Sequence, residues 1–229
     1  EDCVSRAEID FDVSEVPYCV VGFDLSQTGD LSAAIARFRR PGDSNIYEIA
    51  RFWIPEASID IVNGAKDIKE RDSVPYRQWA ADGWVDILYD TDRINQMVVI
   101  DFLRELVDMG TYPFAVAYDP WRVDDWTDRE IRRLVGGTRV YPVPQTARVI
   151  SPLMKEHKLD LKAHRVICPN PCLHHNRTNV QARTDNNDND FPQKRDLKPG
   201  HKIDGYMSEL FALAAYKKFE EEYLNAIEM

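Results

Sequence analysis

The sequence predicts an α/β domain on a mixed five-stranded sheet, a three-strand antiparallel meander followed by a parallel β–α–β–α–β alternation, with helices on its faces. Three observations predict it. Three apolar runs fill residues 16–54 with only short, turn-rich connections between them, and short connections join antiparallel neighbours. The middle of the chain then alternates helical and strand periods, which implies parallel strands with right-handed crossovers. Finally, two of the apolar runs stop on a carboxylate, Asp24 and Asp119.

The elements follow in order. Residues 1–15 form an N-terminal linker. "VPYCVVGFD" (Val16 to Asp24) is a buried-type strand rich in Val and aromatics. "LSAAIARFRR" (Leu31 to Arg40) is the second, after a hairpin in which Gly29 serves the turn. It ends in the turn "PGDSN", and "IYEIARFWI" (Ile46 to Ile54) is the third. "VPYRQWAADG" (74–83) reads as a short helix ended by Gly83. "TDRINQMVVIDFLRELVDMG" (91–110) reads as a longer one, with Thr91 as its cap, Ile94, Val98, Phe102 and Leu106 at helical spacing, and Gly110 at its end. "PFAVAYDPW" (113–121) is the fourth strand. A helix near 126–134, a fifth strand at 138–143 and a helix over 146–158 complete the alternation. Residues 166–200 are polar and irregular, read as a short helix, a small hairpin and loops. A last helix runs from about 203 to 216, and the tail 217–229 extends it or frays.

In such a sheet the first and fourth strands run parallel as central neighbours, so Asp24 and Asp119 emerge at the same edge, where open α/β sheets bind ligands. Asp204 opens a helix whose following small residues, Gly205, Ser208, Ala212 and Ala215, allow close packing on the sheet. Taken alone, capping of that helix competes evenly with a ligand role for Asp204.

Composition narrows the function. The 229 residues, 44% hydrophobic, suffice for one large domain. No apolar run reaches membrane-spanning length, and four cysteines are too few for a disulfide scaffold, which favours a reducing, cytoplasmic setting. A net charge of −10 argues against tight autonomous binding to nucleic acid. It leaves room for a nucleic-acid enzyme whose acids hold cations. The chain starts at Glu1 and reads as an excised part of a longer polypeptide.

At this point the sequence resembles the nuclease domain of the large terminase subunit of tailed bacteriophages, of the ribonuclease H-like superfamily. The resemblance rests on "GFDLSQTGDLSA", "WIPE" (Trp53 to Glu56), "AYDPW" (Ala117 to Trp121), the "NP…N" stretch from Asn170 to Asn179, and "KIDGYMSELFALAAY" (Lys202 to Tyr216), in order along most of the chain. It implies a DNA endonuclease whose catalytic acids are Asp24, Asp119 and Asp204, arranged around two divalent cations, Mg²⁺ or Mn²⁺, with Asp30 as an additional acid. It implies double-stranded DNA as substrate, with an ATPase motor, portal protein and small terminase subunit as partners, in the cytoplasm of an infected host. No GxxxxGK[ST] phosphate loop occurs, so the motor would lie outside these residues.

Arg37, Arg39, Lys194, Lys198, His201 and Lys202 are candidates for contact with a DNA backbone, although a solvated strand end is the simpler reading of the arginines. "CPNPCLHH" (Cys168 to His175) offers zinc-type ligands in a poor layout, with no distant second pair. Trp79, Trp84, Trp121 and Trp126 read as packing. A resolvase or transposase-type nuclease would share the acids, and a non-catalytic docking module would share the fold.

Overall fold

The computed structural model describes residues 8–26, 30–63, 74–196 and 200–228, without the side chains of 60–63. Gly29 and Lys198 lie outside them. The meander forms as expected: β1 (Tyr18–Asp24), β2 (Ser32–Phe38) and β3 (Ile46–Pro55) pair antiparallel in sequence, with Asp24 opposite Ala33 and Ala33 opposite Phe52. Helix α1 (Glu56–Asn63) follows β3 directly, then α2 (Tyr76–Ala81). The chain next makes β4 (Asp86–Leu88), parallel to the end of β3.

Helix α3 (Met97–Asp108) leads into β5 (Tyr112–Tyr118), which lies parallel to β1. Helix α4 (Asp125–Val135) and β6 (Val140–Pro142) continue the parallel half. Beyond them come α5 (Ala147–Lys162), β7 (Val166–Ile167) and α6 (Pro171–Thr178). The hairpin of β8 (Val180–Thr184) and β9 (Asp190–Lys194) precedes α7 (Asp204–Lys218) and α8 (Glu220–Glu228).

Among the described residues the main sheet has seven strands rather than five, in the order β4-β3-β2-β1-β5-β6, with β7 paired to β3. The two additions are three and two residues long, too short to carry a period of their own. Three other expectations need correction. Thr91 does not cap α3, which begins six residues later; its hydroxyl instead donates to Arg93 O (2.7 Å). The tail neither extends α7 nor frays, because the chain turns at Phe219 and α8 buries Tyr223 and Ile227 against the domain. The first third of the fifth strand's predicted span, Thr138 and Arg139, belongs to a 3-10 turn, Gly137–Arg139.

Both sheet faces are covered, which is why the central strands read as continuous apolar runs. Val21, Phe23, Val116 and Tyr118 pack with α3 and α4, while the alternating Val20, Ala115 and Ala117 pack with α5, α7 and α8. Helix α7 lies directly on β1. A Cβ on Gly22 would come within 2.1 Å of Ala212 N and 2.2 Å of Ser208 O, so only glycine admits the helix backbone there. The small residues of α7 meet this contact, and they set the depth at which its first residue reaches the sheet edge.

Candidate active site

The carboxyl ends of β1, β3, β4, β5 and β6 point to one edge, since all five run in the same direction. Asp24 closes β1 and is 9% exposed; Asp119 follows β5 and is 5% exposed. Asp119 is held from its own loop and from the next: Trp121 N donates to Oδ1 (3.0 Å), Gln145 Nε2 donates to Oδ2 (2.6 Å), and Arg122 Nε stands 3.9 Å from Oδ2. Burial, followed by the charges of Asp204, Asp119 and Asp30, raises the carboxyl of Asp24 well above its ordinary value, against the opposing pull of Arg122.

Asp204 is the first residue of α7 but does not cap it. The N-cap position is Ile203, which has no side-chain capping bond. Asn176 Oδ1 of α6 accepts from Gly205 N (3.0 Å) instead, and Asn179 Nδ2 donates to Lys202 O (3.1 Å). Helix α6 thus supplies the cap from outside. It is itself started by Asn170, whose Oδ1 accepts from Cys172 N and Leu173 N ahead of Pro171 at the first turn. With capping done elsewhere, Asp204 Oδ2 is buried with no hydrogen-bond partner among the described residues. Burial and the charge of Asp30 raise this carboxyl to about 6, against the lowering by Lys194 and Lys202.

Asp30 is tied to cations of the chain. Lys202 Nζ pairs with Oδ1 and Lys194 Nζ lies 3.9 Å from Oδ2, while Leu31 N donates to Oδ1 (3.0 Å). Four carboxylates and two lysines therefore share this edge. Hard oxygen donors of this kind suit Mg²⁺ or Mn²⁺, and the crowded carboxyls with an orphaned buried oxygen fit a divalent cation. Among the described residues, no group of three His, Cys, Asp or Glu side chains stands in ready-made coordination geometry.

The structure moves several other candidates. Arg37 is buried at 2% exposure and pairs with Glu48 Oε1 through Nε (2.9 Å) and Nη2 (2.6 Å), so it cannot meet a DNA backbone. Arg39 follows the far end of β2, away from Asp24, with its guanidinium 5.2 Å from the Tyr216 ring centroid. His201 pairs through Nδ1 with Asp196 Oδ1 (2.6 Å) beside the site. Cys168 and Cys172 are buried in an apolar cluster with Leu31, Phe52 and Tyr76, and burial pushes the Cys168 thiol up to about 12. That packing opposes a zinc role. Trp79 and Trp84 pack as expected, whereas Trp121 and Trp126 are exposed. Arg122, Gln145 and Asn176 escaped the sequence reading. The asparagine lay within the "NP…N" stretch, while nothing local marks the other two.

A meander joined to a parallel unit, with acids closing its first strand, following β5 and opening its long final helix against the sheet, defines the ribonuclease H-like class. Within that class, the chain belongs to the family described as terminase large subunit, endonuclease domain, which it matches over residues 14–220. Its fold resembles the large terminase of bacteriophage HK97 at 18% identity and a TM-score of 0.73, over 94% of this chain and 43% of that one. It also resembles the large terminase nuclease of thermophilic phage G20c at 12% identity and a TM-score of 0.51, over 86% and 81% of the two chains. No curated protein matches it. The chain thus spans less than half of the HK97 protein.

Proposed function

We propose that this chain is a divalent-metal-dependent endodeoxyribonuclease that cuts concatemeric DNA at the start and end of viral genome packaging. One observation carries the reading: in a member of this family, three acids from β1, the β5–α4 loop and α7 converge at one sheet edge, and one buried oxygen of Asp204 has no hydrogen-bond partner among the described residues. Asp24, Asp119 and Asp204 would hold Mg²⁺ or Mn²⁺, as two ions. When bound, such ions supply an activated water and charge neutralisation at the departing 3′ oxygen.

The chain's own residues do the rest. Gln145 and the Trp121 N–H orient the Asp119 carboxylate, and Asn176 fixes the helix start that carries Asp204. Lys202 and Lys194 hold Asp30 at the rim of the site. Arg122 balances Asp24 and Asp119 until cations arrive. The DNA would be delivered by an ATPase motor belonging to the same longer polypeptide, with portal protein and small terminase subunit, in the cytoplasm of the infected host. That division of labour accommodates a domain of net charge −10.

The test is cleavage of supercoiled plasmid in Mn²⁺. Asp24→Asn, Asp119→Asn and Asp204→Asn should each lower the rate by about 10³-fold or more, as expected when charge stabilisation at the reacting phosphate is lost. Folding is checked by circular dichroism. Cleavage retained by all three would overturn the assignment. A preference for branched over linear duplex would favour a resolvase, and absence of both Mn²⁺ binding and cleavage would favour a docking module.

A further inference from the structure

We propose that the β5–α4 loop presents Trp121 as a platform on which a DNA base next to the scissile phosphate stacks; this rests on the nuclease reading above. Trp121 is 84% exposed, the most exposed large apolar side chain among the described residues. It stands two residues beyond Asp119, and its backbone N–H is the group that donates to Asp119 Oδ1. The indole is therefore tied in register to a catalytic carboxylate.

The loop is also held firmly. Arg122 N donates to Asp119 O (3.1 Å), Gln96 Nε2 donates to Arg122 O (2.9 Å), and Asp124 N donates to Gln96 Oε1 (3.0 Å). The backbone that carries the indole is therefore already ordered before binding, which leaves only the side chain's own rotations to be fixed on contact. Two further exposed aromatics lie on the same edge: Tyr89, directly after β4, and Trp126, in the first turn of α4. The other large exposed apolar residues, such as Tyr112 and Leu159, are scattered near the opposite edge, as is ordinary for a protein surface.

Charge explains why such a contact is needed here. The loops carrying Tyr89 and Trp121, with the first residue of α4, expose four acids, Asp90, Asp92, Asp124 and Asp125, against two arginines, Arg93 and Arg122, and the two lysines at the site are engaged with Asp30. Phosphate attraction on this edge is correspondingly limited. Base stacking is insensitive to charge and to sequence, so it supplies grip that the acidic edge cannot. It also supports unstacking of the duplex beside the cut, as apolar wedges do elsewhere.

The test measures binding of a short duplex in Ca²⁺ by fluorescence anisotropy across a salt titration, alongside cleavage in Mn²⁺. Trp121→Ala should bind about tenfold more weakly at every salt concentration with an unaltered salt slope, and Trp121→Phe should recover most of the loss. In cleavage the change should fall on KM more than on kcat. Leu159→Ala, remote on α5, should bind as the parent does. Binding by Trp121→Ala within twofold of the parent, or a loss that flattens the salt slope, would overturn the proposal. A parent protein that neither binds nor cuts DNA would remove the nuclease reading itself, and the stacking site with it.

Discussion

At the Asp204 carboxyl, burial and the charge of Asp30 move the proton affinity up to about 6 from a reference of 3.8. Between those values the folded chain holds a proton that the unfolded chain has already released. Stability without metal then declines as pH rises through this window, because the native state binds more protons than the denatured one. Asp24, raised by burial and its neighbouring acids, acts in the same sense. We expect the melting temperature of the metal-free protein to fall from about pH 4 to about pH 6, and less steeply in Asp204→Asn. Mn²⁺ affinity should run the other way, weakening below about pH 6 as cation and proton compete, by up to tenfold per pH unit for each proton displaced. Scanning calorimetry and titration calorimetry check the two slopes; a steeper metal-free decline in Asp204→Asn would contradict the sign. These acids were legible in the sequence because a carboxylate that ends an apolar strand, or opens a helix of small residues, has a position as well as a type. Arg37 was illegible because its partner, Glu48, sits on the neighbouring strand. Local composition cannot tell a buried paired charge from a solvated one.

Among the elements, α6 decides how the site is built, although it is only eight residues long. Its Asn170 starts it, its Asn176 caps α7 from outside, and Asn179 at its end holds the carbonyl of Lys202. Asn176 is fully buried, and its Nδ2 also donates to Cys172 O (2.9 Å). Asn176→Ala should therefore destabilise the fold by about 1–3 kcal/mol, since Gly205 N is left without its acceptor in a buried place. Cleavage should fall further than the loss of folded protein accounts for, because Asp204 would lose its fixed position. Urea denaturation gives the first quantity, and plasmid cleavage corrected for folded fraction gives the second. The longer elements were readable from their periods, and the stripe of small residues on α7 anticipated its contact with Gly22. The short β4 and β7 were not readable, because pairing to β3 holds them rather than any pattern of their own. The start of α3 was misplaced for a similar reason: the Thr91 hydroxyl is used up locally, on Arg93.

Across the whole molecule, a buried charged cluster joins elements that the site depends on. Arg177 of α6 donates to Glu209 of α7 through Nε (3.0 Å) and to Glu48 of β3 through Nη2 (3.1 Å), and Arg37 of β2 completes the set on Glu48. His157 of α5 lies 3.3 Å from Glu209, and burial lowers its proton affinity, so it adds no full charge in the neutral range. Two guanidinium groups face two carboxylates, which leaves the cluster balanced. It ties β2 and β3 of the meander to α6 and to α7, the helix that Asp204 opens. None of this was apparent from hydropathy, which counts these four residues as surface. Breaking the balance has a definite consequence. Arg177→Met removes the cation shared by Glu209 and Glu48 and leaves buried charge uncompensated, at a cost of about 3–5 kcal/mol. Removing the opposing charge as well, in Arg177→Met/Glu209→Leu, returns the cluster to one Arg37–Glu48 pair and should recover a large part of that loss. Denaturant titrations of the two variants measure the difference. A double variant no more stable than Arg177→Met alone would show that α6 and α7 are held together by the shape of these side chains rather than by the balance of their charges.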